Sequence, residues 1–146
     1  MISEFDEYQK FLRYKYGYHS FGILFALLAV NHFVDYPWAQ STEEETMILA
    51  SVVANYFVVR LVFGGAYYGK RENPVLASLV AFVPGLLHLS AYLTGQSVLF
   101  ENGRLADNAF VFFSALFWMS IPITYVVRAV VDKIRERKED LETKSR

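Results

Sequence analysis

The stretch "NYFVVRLVFGG", residues 55–65, sets one guanidinium, Arg60, inside a long apolar run, with Asn55 and Tyr56 a turn away. Two further runs carry imidazoles: His32 in "AVNHFVDYPW" and His88 in "PGLLHLSAY". These residue types admit three chemistries. Paired imidazoles can hold a metal or a haem. A histidine can move protons, because its charge changes near neutral pH. Polar side chains in apolar runs also join helices by hydrogen bonds. A metal or haem centre needs a third ligand, such as Asp35, or two histidines facing one cavity, and the chain has no HxxxH or HxxE spacing. No metal site is assigned, and no cofactor is indicated. At ~1.5 Å of rise per residue, His32, His88 and Asn55 fall roughly 6–12 Å inside the outer ends of their runs, which predicts one polar layer in the outer half of a bundle. His19 falls at an inner boundary.

Arg60 is the sharpest lead. With its run ending at Tyr68, it falls ~12–15 Å from the inner boundary, near mid-membrane. The apolar runs hold no Asp or Glu; Asp35, Asp107 and Asp132 stand at their ends. The expected partners are therefore neutral: Tyr56, one turn outward, and the Trp118 carbonyl, which Pro122 deprives of its helical donor. Donors left over would serve water or an anion such as a lipid phosphate or a carboxylate. The competing expectation is an arginine that reaches the inner interface along the protein surface, since a central arginine costs only about 2.5–3.5 kcal/mol to insert. Nucleophilic catalysis has little to stand on. Ser51, Ser78, Ser90, Ser114 and Ser120 are scattered outside any GxSxG elbow, there is no Gly-rich phosphate loop or paired acidic motif, and there is no cysteine.

The elements that must position these residues follow from composition. At 146 residues, 54% hydrophobic and 17% aromatic, the chain is too apolar for an ordinary soluble domain of its size. Four runs, at about 16–34, 47–68, 75–94 and 109–127, approach the ~20 residues a helix needs to cross ~30 Å of hydrocarbon. Lipid cannot satisfy backbone polar groups, so only helices or closed barrels, which pair them internally, can cross it, and these runs are read as helices. A soluble bundle would need a polar stripe on each run, and none has one. The fold expected is an all-α, integral membrane, four-helix transmembrane bundle: a leader at 1–15, a transmembrane domain at 16–131 and a charged helical tail at 132–146. The first run is read as retained, because its apolar core is too long for a secretory signal and its leader carries Glu4, Asp6 and Glu7.

Of the 14 lysines and arginines, all but Arg60 and Arg104 fall in the leader, the second loop or the tail. The positive-inside rule then puts both termini in the cytoplasm and the acidic "EEE" of 43–45 outside. "GKRENP" reads as a tight inner turn with Pro74 opening the third helix. Gly65 and Gly69 make a GxxxG pattern, and Ala50 with Ala54 extends a face of small residues. The leader spaces Ile2, Phe5 and Leu12 as a short amphipathic helix on the inner surface would, though an unstructured leader fits equally. The tail's basic residues suit anionic headgroups, and its interleaved acids argue against nucleic acid. Val127, Val130, Ile134 and Leu141 draw a partial apolar seam along it.

The entry segment "DEYQKFLRYKYGYHSF", with Arg13, Lys15 and Gly17 before the first run, resembles the start of small uncharacterised four-pass membrane proteins of Gram-positive bacteria. The resemblance implies a bacterial plasma membrane and carries no activity. The leading function expected is a non-enzymatic accessory, regulatory or oligomeric subunit that works through contacts with a second copy or another membrane protein. The alternative is a small transporter or channel-like carrier with a polar path around Arg60, Asn55, His88 and His32. A membrane enzyme acting on lipid or quinone is the third reading.

Overall fold

The computed structural model describes residues 5–34, 36–95, 98–106 and 109–144. Asp35, considered above as a metal ligand, and Arg146 of the tail lie outside them. The chain is all-α apart from one small hairpin. Four helices follow in order: α1 (Glu7–Phe33), α2 (Thr42–Gly64), α3 (Pro74–Thr94) and α4 (Ala109–Lys144). Three of them, α2, α3 and α4, are long and apolar enough to cross a membrane. In α1, charged residues in the first half and Asn31 and His32 near its end dilute the apolar core.

Several helix starts follow from local chemistry. Asp6 caps α1 by accepting from the Gln9 amide at 2.7 Å, while the Gln9 side chain accepts from the Asp6 amide, a reciprocal capping box. Asn73 caps α3, whose first residue is Pro74 as expected. Both internal prolines, Pro84 and Pro122, are carried within continuous helices.

Three boundaries differ from the sequence reading. The leader is not a separate surface helix. Residues 7–33 form one helix, and Leu12 is buried against Leu61 and Ala66. Helix α2 starts earlier and stops earlier than 47–68. Ser41 caps it, so the "EEE" segment lies in its first turns, and Gly65 ends it in the left-handed conformation at φ 75°. Gly65 and Gly69 therefore stand beyond the helix, and their GxxxG spacing is not a helix-packing face. The second outer connection holds an antiparallel hairpin, β1 (Phe100–Glu101) with β2 (Arg104–Leu105), turned through Asn102 and Gly103 at φ 51° and 79°. An Asn-Gly pair supplies the positive φ values that a two-residue hairpin turn demands.

The helices stand in line more than in a closed square. The principal contacts run α1 to α2, α2 to α4, and α4 to α3. Between α2 and α3, α4 presents Ile121, wholly buried against Val58, Val62, Tyr68 and Ala81. A second cluster joins the first half of α1 to the end of α2. A third, around Ala39, Ile48, Leu105 and Ala109, closes the opposite end of the molecule. Helix α1 runs antiparallel along α2 from end to end, since Gln9 meets Gly65 and Asn31 meets Glu45. The first turns of α1 and Arg128 of α4 both meet the end of α2, so α1 starts and α4 leaves the bundle on the same side. At 36 residues, α4 is ~54 Å long, so it overruns a ~30 Å hydrocarbon core by more than 20 Å.

Helices α3 and α4 approach closely at Gly85. A Cβ there would lie 2.9 Å from Met119 Cγ and Sδ and 3.2 Å from the Met119 backbone nitrogen. Gly22 of α1 has nothing within 4 Å of the same added atom. Gly85→Leu is expected to separate α3 from α4 at a cost of about 1–3 kcal/mol. Gly22→Leu should leave thermal unfolding in detergent unchanged or raised. Equal melting losses in the two variants would contradict the packing described.

Candidate functional site

The polar chemistry concentrates at the end of α2 that faces the termini. A helix C-terminus leaves carbonyls without helical donors, and in a water-poor setting each needs a partner. Side chains from two other helices supply them. From α1, Gln9 Nε2 donates to the Gly65 carbonyl at 2.9 Å, and more weakly to that of Tyr68 at 3.4 Å. Arg13 Nε donates to the Ala66 carbonyl at 2.8 Å and its Nη2 to that of Tyr67 at 2.9 Å. From α4, Arg128 Nη1 donates to the Val62 carbonyl at 3.1 Å, while its Nε pairs with Asp132 at 3.4 Å. The two cations also complement the negative end of the helix dipole.

Gly65 makes this closeness possible. A Cβ there would fall 2.6 Å from both terminal nitrogens of Arg128. The segment after it is anchored to α3 by a buried bond of 2.6 Å between the Tyr68 and Ser78 hydroxyls. Arg13 and Arg128 were read from the sequence only as members of a basic inner surface. The signal for the bend lay in "FGG", where a glycine stands at the position that ends a helix.

Arg60 lies on the flank of this knot. Because α2 stops at Gly64, Arg60 is ~6 Å from the helix end and not near its middle. It is exposed, and its guanidinium carbon lies 4.9 Å from the centre of the Tyr16 ring on α1, within cation–π range. The interior position facing Tyr56 and the Pro122 region of α4 is not what the geometry gives. The competing expectation, an arginine on the protein surface near one end, is the one it matches.

The remaining residues of the expected polar layer do not come together. His32 is exposed, and its ring meets the edge of Phe33 at 5.5 Å. On α3, the His88 Nδ1 lies 2.7 Å from the Pro84 carbonyl, one turn back on its own helix. Asn55 and Tyr56 are half-buried. Among the described residues no hydrogen bond joins any two of Arg60, Tyr56, Asn55, His88 and His32, and no cluster of three metal-ligating side chains occurs.

The opposite end carries a polar centre that the sequence reading missed. Glu45, only 7% exposed, accepts from the Trp38 amide at 2.9 Å, the Asn31 side chain at 3.0 Å and, more weakly, the Ala39 amide at 3.4 Å. Asn31 in turn accepts from the Trp38 indole at 2.6 Å, and Arg104 adds a favourable charge. Its role is structural: it folds the α1–α2 connection and, through the bond from the Leu105 amide to the Trp38 carbonyl, holds the hairpin. The "STEEE" pattern, a Ser followed three residues on by Glu, signals the helix start. Nothing in it singles out Glu45 as the buried member.

No protein-family model, curated protein or solved structure matches the chain.

Arg13→Ala and Arg128→Ala are expected to destabilise the protein by about 1.5–3 kcal/mol each, because they strip charged donors from buried carbonyls. Arg60→Leu should shift stability by no more than ~0.5 kcal/mol, as a surface change does. Unfolding in mild detergent checks the ranking. An Arg60→Leu loss equal to that of Arg128→Ala would contradict the assignment of roles.

Proposed function

We propose that this is a multi-pass protein of the plasma membrane, with both termini cytoplasmic, that acts by contact as a non-enzymatic accessory or oligomeric subunit. The observation that carries the reading is the exposed arm of α4. Residues 132–143 are exposed helix, and the apolar side chains Ile134 and Leu141 are 50% and 69% exposed. With Val127 and Val130 they lie three, four and seven residues apart, an apolar edge on an otherwise charged helix. A helix of this kind gains stability by meeting a second helix. The in-line arrangement supports the same reading, because it leaves α1 and α3 open along their outer faces. The basic residues at the termini end and the resemblance of the entry segment support a bacterial plasma membrane.

A carrier would need its polar residues along a shared path. Arg60 and His32 on the surface and His88 bonded within its own helix give that reading no support.

Photo-activatable residues at Ile134 and Leu141, in cells producing the full-length protein, test the proposal. The expected result is one discrete adduct from both positions, of the mass of two chains or of the chain plus one membrane protein, and its loss in Ile134→Asp. A strictly monomeric protein with no adduct from either position would overturn it. Transport across proteoliposomes that Arg60→Leu abolishes would replace it with the carrier.

A further inference from the structure

Arg60 stands at the mouth of a groove. Between α1 and α2 runs a shallow lateral cavity of about 250 Å³, walled by Gly17, Ser20 and Leu24 on one side and Ala50, Ala54 and Phe57 on the other. Along either helix the walls extend seven residues, or ~10 Å. The end nearer the termini abuts Arg60, which follows Phe57 by less than one turn, and Tyr16, which immediately precedes Gly17. Glycine, serine and alanine keep the walls low, so the depression opens sideways toward the surroundings of the helices.

Two features of this place are unpartnered. The Arg60 guanidinium carries five N–H donors and makes no hydrogen bond or ion pair among the described residues, stacking only on Tyr16. The acids of α1 and α2 offer it nothing: Glu7 pairs with Lys10, and Glu43, Glu44 and Glu45 lie at the far end of α2. Ser20, a residue of the same wall, has its hydroxyl shut off from water and without a hydrogen-bond partner. Serine in an apolar helix ordinarily finds an acceptor, as Ser51 does at the Met47 carbonyl.

We infer that this groove binds one anionic phospholipid of the surrounding bilayer, its phosphate on Arg60 beside Tyr16 and one acyl chain between α1 and α2. Charge complementarity selects the headgroup: the Arg60 guanidinium faces no carboxylate of α1 or α2, and a guanidinium meets phosphate oxygens in bidentate fashion. Depth agrees, because an arginine ~6 Å from the end of α2, over an aromatic ring, stands where headgroups begin. The small residues admit a chain lying flat along the seam. The inference rests on the multi-pass membrane reading.

The test uses the full chain extracted in mild detergent from nanodiscs of phosphatidylcholine containing phosphatidylglycerol, with retained lipid counted by native mass spectrometry. Wild type is expected to keep one phosphatidylglycerol in preference to phosphatidylcholine. Arg60→Gln should lower that retention about fivefold to tenfold, the worth of one well-placed cation near the surface. Ala54→Phe, which fills the groove and leaves every cation in place, should lower it too. Lys133→Gln with Lys138→Gln, on the arm, should not. Equal retention of the two lipids, or unchanged retention in both Arg60→Gln and Ala54→Phe, would overturn the inference. So would a co-isolated membrane protein lost in Arg60→Gln, which would hand the groove to a partner helix. Alkaline washing of membranes reads the underlying assumption separately: release of the protein would remove the multi-pass reading itself, whereas retention with no lipid preference would remove only the site.

Discussion

The carbonyls of Gly65, Ala66, Tyr67 and Tyr68 stand in the bend after α2 and take their donors from α1, while Arg128 of α4 adds a donor to the Val62 carbonyl, which also accepts from the Gly65 amide at 3.1 Å. Helix α1 begins early enough to bring Gln9 and Arg13 alongside, and α4 runs on far enough to bring Arg128 across. In a lipid setting apolar contact alone discriminates weakly between one helix pairing and another, because acyl chains are as apolar as leucine. Hydrogen bonds to otherwise unsatisfied carbonyls do discriminate. The order α1–α2–α4–α3 has a chemical origin at this end: α2 is the helix with carbonyls to be satisfied, and its two neighbours are the helices that carry arginines at the matching height.

The far end solves a related problem differently. There a buried carboxylate, Glu45, gathers amides from the chain that has just left α1, and Asn31 ties the Trp38 indole into the same group. A carboxylate with that much burial is tolerable only because several donors converge on it. With α1 fastened to α2 at both ends and little side-chain hydrogen bonding between, the middle of the α1–α2 seam is left to small residues and aromatic rings. That is why the groove beside Arg60 exists. The α3–α4 pair is built the other way, with Gly85 against Met119 at close range.

Much of this architecture was legible in the sequence. Apolar runs bounded by loop residues announce the four helices, Pro74 after "GKREN" marks the start of α3, and the interleaved charges of the tail continue α4 as helix. Two local signals were present and outweighed by hydropathy: Gly64-Gly65, which stops α2 before Tyr67 and Tyr68, and Asn102-Gly103, which turns a hairpin. Ending α2 four residues sooner moves Arg60 from mid-membrane to near an end, so one misplaced boundary reversed its expected environment. The clamp itself was not legible. Side chains that bond to backbone carbonyls more than fifty positions away leave no spacing in the sequence, and Arg13 and Arg128 look there like any basic residues beside a membrane. The same holds for Glu45, one of three adjacent glutamates of which only the fold buries one.

The central proposal is that α1, which unlike α2, α3 and α4 is not apolar enough to count as a span by itself, is held across the membrane by its bonds to α2 at both ends. Labelling single cysteines with a membrane-impermeant maleimide tests it directly, using Glu7→Cys at one end of α1 and Gln40→Cys just beyond the other in intact cells. The account predicts that Gln40→Cys reacts from outside and Glu7→Cys only after the membrane is opened. Reaction of both positions from the same side of the membrane would contradict it.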